Sequence, residues 1–225
     1  RYPIKQLMLS TMITALSTIS AANDLPKDIP ESMGVSSERL KNLSSAMQRY
    51  IDANMLAGTV SLVSRNGKII HFDSQGWKDK ESDEAMTDDT IFFIMSMTKP
   101  IVSTALMMLY EQGHFLLTDP ITDWIPELQG KEVIVNDEFG THRVPSDRPI
   151  NFRHVLSHTS GLDPSRNELT QEELKLLGRT DTLVETILQR GPLPLAFHPG
   201  DSWQYGSSTD YVALLVERIA GVPLK

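Results

Sequence analysis

An α/β fold of the α+β kind, with an antiparallel sheet flanked by helices and a second, mainly helical lobe, is predicted by three observations. Ser36 or Ser37 precedes a run in which Leu40, Leu43, Met47, Tyr50 and Ile51 share one face, so a capped amphipathic helix opens the fold. Thr59-Val60-Ser61-Leu62-Val63-Ser64 then alternates, Asn66-Gly67 supplies a tight turn, and Lys68-Ile69-Ile70-His71-Phe72 pairs back as an antiparallel hairpin. From Glu81 to Pro199 the apolar spacing is mainly helical. The sheet part is thereby assigned to residues 31–80 and the helical lobe to residues 81–200, with a cleft between them.

Within the helical lobe, Ile91-Phe92-Phe93-Ile94-Met95 is a continuous apolar run that reads as a buried segment leading into a helix. That helix carries Ile101, Val102, Ala105, Leu106 and Leu109 at helical spacing and stops at Gly113. A last helix, from Ser208 to Gly221, carries Val212, Leu215, Val216 and Ile219. Residues Gln129 to Pro149 hold mixed charge, Gly140 and Pro145, and read as a surface insertion or hairpin able to shape access to a site.

Composition sets the class. Of the 225 residues, 40% are hydrophobic and 22% charged, which suits a globular enzyme with a sizeable core. A net charge of −8 without a basic cluster argues against a nucleic-acid partner. The absence of Cys excludes disulfides, zinc-thiolate sites and a Cys nucleophile together. Arg1 and Lys5 precede an apolar stretch from Leu7 to Ile19 and the small residues Ser20-Ala21-Ala22, the form of a signal peptide over residues 1–22. Residues 23–225 would then be exported to the periplasm or outside, with membrane contact only through an uncleaved leader.

Ser96-Met97-Thr98-Lys99 carries the chemistry. On a helix, residues i and i+3 meet on one face. A partly desolvated Lys can lose its proton near neutral pH and accept that of a Ser, which makes the hydroxyl a nucleophile. This is the S-x-x-K arrangement of serine hydrolases. The same four residues also read as a plain helix start, with Ser96 capping, Lys99 solvated and Pro100 in the first turn.

Two further stretches bear on the choice. His198-Pro199-Gly200-Asp201-Ser202-Trp203-Gln204-Tyr205-Gly206-Ser207-Ser208 contains the pattern Pro-Gly-x-x-Trp-x-Tyr-x-Ser, and Asn151-Phe152-Arg153-His154-Val155-Leu156-Ser157-His158-Thr159-Ser160-Gly161-Leu162 lies between it and Ser96. Together with Ser96-x-x-Lys99, these segments resemble the serine β-lactamase and penicillin-binding-protein superfamily, in particular class C β-lactamases, the esterases built on that fold, and D-alanyl-D-alanine carboxypeptidases. The resemblance runs from about Glu31 to Lys225 and includes Asp119-Pro120-Ile121 and Trp124-Ile125-Pro126-Glu127-Leu128.

The resemblance implies a β-lactamase/transpeptidase-like fold and a catalytic set of Ser96, Lys99 and Tyr205. It places Ser207 as the polar partner of the Lys or the substrate, with Trp203 beside it as a substrate-binding residue. The phenol would act as general base or acid. Its ordinary pKa of about 10 falls beside an ammonium, so Tyr205 and Lys99 can share a proton. Read without the family, Tyr205 and Trp203 are packing aromatics. The family's third motif, Lys-Thr-Gly, His-x-Gly or Trp-x-Gly on a strand, does not occur before Lys225, so the C-terminal strands are expected to be missing from this chain.

The implied activity is a serine hydrolase forming an acyl-enzyme at Ser96. An esterase comes first, because Gly206-Ser207 follows Tyr205 where many β-lactamases have Ser-Asn; a β-lactamase or carboxypeptidase is the alternative. The partners would be a small-molecule ester, a β-lactam or a cell-wall peptide. A non-catalytic member binding cell-wall peptides, or an inactive fragment, is the alternative of another class. No cofactor or metal is implied. His154 and His158 stand four apart, but no H-E-x-x-H order accompanies them, and His158 reads as a hydrogen-bonding residue holding a turn.

Overall fold

The computed structural model describes residues 25–178 and 180–224, so the expected leader lies outside the described residues. The described chain divides into two compact units, one ending at Phe93 and the other beginning at Ile94.

The first unit follows the pattern written in its sequence. Helix α1 spans Ser37–Asp52, and the Ser36 side chain caps it by accepting from the Arg39 N–H. Leu40, Leu43, Met47 and Ile51 are half-buried, whereas Tyr50 is exposed and departs from the expected face. Strand β1 (Gly58–Arg65) pairs antiparallel with β2 (Lys68–Asp79), and the short β3 (Glu84–Ala85) adds to the other edge of β2. Asn66 and Gly67 both take positive φ, as a two-residue turn matched to strand twist requires. Helix α1 packs on β2. At the far end of the hairpin Gly76 has a φ of 76°, and a Cβ there would meet the Ala57 carbonyl at 2.5 Å, so a glycine is required.

In the second unit a 3-10 turn, Met95–Met97, runs directly into helix α2 (Thr98–Glu111). Strands β4 (Glu132–Asp137) and β5 (Gly140–Pro145) form a hairpin, followed by α3 (Phe152–Leu156), α4 (Gln171–Lys175), α5 (Leu183–Arg190) and α6 (Ser208–Ala220). Helix α6 is the centre: α2, α3 and α5 all pack on it, and Tyr211, Val212, Leu214, Leu215 and Val216 are buried. Burial of each such side chain is worth about 1.5–3 kcal/mol, so this helix is the most firmly held element of the unit. Gly221 ends it with a φ of 70°. Phe115 stacks on Phe152 at 3.8 Å between centroids, and Trp124 meets Phe152 edge-on at 5.1 Å.

Three expectations need correction. The run Ile91–Met95 is exposed rather than buried; Ile91 is 95% and Phe93 89% accessible. It forms neither helix nor strand before Met95, so its side chains share no single face to turn toward a core. In α2, Leu106 is fully buried but Ile101 is exposed, because it lies on the edge of the helical stripe. The segment 129–149 is a hairpin, yet not a surface one: Val133 and Ile134 are buried, and the Leu195 backbone pairs with β4 through Ile134 N–H at 2.8 Å and Glu132 C=O at 2.7 Å. Lys131, at its base, donates to the carbonyls of Gly191 and Leu193, and burial pushes its ammonium down to about 8.

Candidate active site

The residues that the sequence singled out at Ser96, Lys99 and Tyr205 converge in the second unit. Ser96 sits on the 3-10 turn and Lys99 in the first turn of α2, so their spacing puts both side chains on the same side. Lys99 Nζ donates to Ser96 Oγ at 3.3 Å. The Tyr205 hydroxyl, 109 positions away in sequence, donates to the same oxygen at 2.7 Å. Lys99 Nζ also stands 4.8 Å from the centroid of the Tyr205 ring. The Lys99 ammonium, and after it the hydrogen bond with Ser96, holds the Tyr205 phenol below its ordinary range. Ser96 is exposed and Lys99 half-buried, so the hydroxyl is open to an incoming ligand.

The helix-start reading of Ser96 is not realised. Its hydroxyl makes no cap; the residue flanking α2 is Met97, which has no side-chain cap either. The backbone before Ser96 is instead in an unusual state. Met95 has a φ of 50°. Of the five non-glycine residues with positive φ among the described residues, Asn54, Asn66, Asp83 and His158 are types that adopt it more readily; Met95 is not, and it directly precedes Ser96. Such backbone costs of order 1 kcal/mol per residue and clusters where geometry serves function.

His158 is out of helix α3, which ends at Leu156, so it shares no helical face with His154. Its ring packs on Tyr205 at 4.9 Å between centroids and edge-on to Trp203 at 6.3 Å. Its Nδ1 is buried with no hydrogen-bond partner among the described residues, and the residue holds the turn through its backbone carbonyl, which accepts from Gln204 N–H at 2.9 Å. Burial, and next the Lys99 ammonium, push its imidazole below the ordinary range, while the Asp163 carboxylate opposes them. His154 closes a capping box with Asn151. Among the described residues no cluster of three or more metal-ligating side chains occurs.

Trp203 is exposed beside His158. Ser207 is close in the chain but makes no bond to Lys99: its Oγ is buried without a partner among the described residues, and its N–H donates to Asp163 Oδ2 at 2.8 Å. Asp163 was not legible as a site residue. The only hint in the sequence is a carboxylate between Leu162 and Pro164, in a turn-forming segment.

Comparison with known proteins identifies the family and the fold. The family model described as Beta-lactamase matches residues 43–225. Esterase EstB from Burkholderia gladioli is 31% identical over 189 residues, covering 81% of this chain and 46% of that protein. Lovastatin esterase from Penicillium rubens is 28% identical, covering 80% of this chain and 47% of its own length. Among solved structures, EstCE1, described as a hydrolase with promiscuous acyltransferase activity, superposes with a TM-score of 0.67 at 28% identity, over 82% of this chain and 48% of that one. The chain thus spans about half the length of the curated relatives it matches. The fold class expected from the sequence holds.

Proposed function

Because this chain belongs to the Beta-lactamase family, we propose that it supplies the nucleophile, Lys and Tyr of a serine hydrolase that forms an acyl-enzyme at Ser96 and acts on small carboxylic esters. The observation that carries this reading is the 2.7 Å contact between the Tyr205 hydroxyl and Ser96 Oγ, shorter than the 3.3 Å contact from Lys99. Of the two candidate bases, the phenol is thus the better placed to take the Ser96 proton.

In the resting state Tyr205 donates to Ser96; once ionised, it accepts instead. The Lys99 ammonium favours that ionised form chiefly as a hydrogen-bond donor and less by charge alone. Ser96 Oγ then attacks the ester carbonyl, its proton passing to Tyr205, and a C–O bond forms as the carbonyl electrons move to oxygen. When that oxyanion collapses, the bond to the alcohol breaks and Tyr205 returns the proton to the leaving oxygen. Water, deprotonated by the same phenolate, then attacks the acyl carbonyl; the bond to Ser96 Oγ breaks, Tyr205 returns the proton to that oxygen, and the acid is released. The Ser96 N–H would serve as half of an oxyanion hole. Trp203, exposed beside the His158 and Tyr205 rings, would flank the substrate.

The ester preference is supported by the two relatives named as esterases. A β-lactam or D-alanyl peptide would pass through the same acylation, and the family description keeps that second reading in play. Export to the periplasm or outside is proposed on the leader-like residues 1–22 alone.

The test is intact-mass analysis of the full-length protein after exposure to a fluorophosphonate and, separately, to a penicillin, alongside Ser96→Ala. One adduct per chain that the variant lacks supports the nucleophile. Hydrolysis of p-nitrophenyl esters without penicillin turnover supports the esterase. A folded protein that takes neither label overturns the hydrolase and leaves the binding-module reading.

A further inference from the structure

We propose that Asp163 is the positioning residue for Tyr205, a latch that fixes the phenol at hydrogen-bond distance from Ser96; the inference rests on the reading of Tyr205 as the proton-transfer group.

Tyr205 belongs to a stretch, residues 202–205, that is neither helix nor strand, so no regular ladder sets where its phenol lies. Both of its flanks are tied to one residue. On the N-terminal side, the Gln204 side-chain amide donates to the Asp163 carbonyl at 2.8 Å. On the C-terminal side, the Ser207 N–H donates to Asp163 Oδ2 at 2.8 Å. A third tether, Gln204 N–H to the His158 carbonyl at 2.9 Å, closes the same loop onto the turn that follows α3.

The carboxylate also stands where α6 begins. Ser207 is the residue preceding that helix and gives it no side-chain cap. Asp163 brings a negative charge to the helix N-terminus in its place, a favourable location for an anion. Helix α6 is buried at Ser208 and from Tyr211 to Val216, so Asp163 transmits the position of a rigid element to a loop that has none of its own.

Gly206 makes the latch possible. A Cβ at this position would lie 2.1 Å from Asp163 Oδ2 and 2.5 Å from its Cγ, inside any allowed contact. Only a glycine lets the carboxylate reach past it to the Ser207 N–H. The Gly-Ser that follows Tyr205 is therefore a geometric requirement of this latch as well as a sequence signature.

The experiment measures the rate of fluorophosphonate labelling by intact mass in the full-length protein for wild type, Asp163→Ala, Asp163→Asn, Gly206→Ala, Tyr205→Phe and the double variant Asp163→Ala/Tyr205→Phe. Displacing the phenol by about 1 Å is expected to slow labelling by about 10²-fold in Asp163→Ala. Asp163→Asn, whose amide oxygen still accepts from Ser207, should stay within about 10-fold of wild type. A residue that acts through Tyr205 adds nothing once the phenol is gone, so the double variant should label no slower than Tyr205→Phe. Gly206→Ala tests the same contact should Asp163→Ala not fold, and is expected to slow labelling to a similar extent.

Wild-type labelling in Asp163→Ala or Gly206→Ala overturns the inference, as does a double variant in which the two losses multiply. Wild-type labelling in Tyr205→Phe overturns the reading of Tyr205 itself, and the inference with it. A slow Tyr205→Phe beside a fast Asp163→Ala removes the latch alone.

Discussion

Lys99 Nζ lies 4.8 Å from the centre of the Tyr205 ring, so a half-buried ammonium faces the aromatic group whose hydroxyl touches Ser96. The group that favours the phenolate is thereby a neighbouring side chain and not the base itself. In such an arrangement the base and its electrostatic support are separate residues, and they can be taken apart by substitution.

Lys99→Met should raise the Tyr205 pKa, since the ammonium is the first cause of its depression. A base works when deprotonated, so the rising limb of acylation against pH should move to higher pH, toward the ordinary phenol value of about 10. At neutral pH, acylation should fall by about 10²–10⁴-fold in this variant and in Tyr205→Phe. Only in the Lys99 variant should alkaline pH restore part of the rate. A Lys99→Met limb at the wild-type pH would show that Lys99 does not tune the phenol.

Met95 holds positive φ with a side chain that is 66% exposed, so little packing would be lost with it. Met95→Gly relieves about 1 kcal/mol of backbone strain and loosens the unfolded chain by a comparable amount. The thermal midpoint should stay within about 3 °C of wild type, by the usual scaling for a chain of this size. Ester turnover should fall, because Ser96 is then less firmly held. Full activity in the glycine variant would separate the strain from the chemistry.

Glu173 forms a two-pronged pair with Arg143, 2.7 and 2.8 Å, and closes a capping box with Thr170. The Arg143 guanidinium, ahead of the Thr170 bonds, lowers its carboxyl to about 2. A depressed carboxylate contributes stability that is present above its ordinary value of 4.5 and is lost as pH falls toward 2. Glu173→Gln should cost about 1–2 kcal/mol at neutral pH and progressively less on acidification through that window. Chemical denaturation at pH 7 and pH 3 reads the difference; an equal cost at both would remove the ion pair from the account.

Leu106 is fully buried where α2 meets the core around α6. Leu106→Ala should destabilise by about 2–5 kcal/mol through lost burial and the cavity left behind. A fluorophosphonate label at Ser96 should persist below the lowered midpoint, since Leu106 lies on the helix but away from its reactive end. A cost under about 1 kcal/mol in urea denaturation would mean that the core collapses around the gap.

Local signals were the readable part of the fold. Ser36 as a cap, Asn66-Gly67 as a turn and Gly221 as a helix stop all depend on contacts within a few residues, and each stands where its chemistry predicts. The Ser96 and Lys99 pair is of the same kind, because one turn of helix joins them. The exposed run Ile91–Met95 misled because hydrophobicity reports a preference for burial and not the presence of a partner surface.

By itself, the sequence determined the capped helices, the tight hairpin and the family, since periodicity, capping and motif spacing are short-range properties. Only the tertiary structure decided which distant groups meet: Tyr205 with Ser96, Leu195 with β4, His158 behind the phenol and Asp163 on both flanks of the Tyr205 loop. The physical reason is that such contacts join segments brought together by the core, in which α2, α3 and α5 pack on α6 by shape and volume. No spacing along the chain encodes that selection.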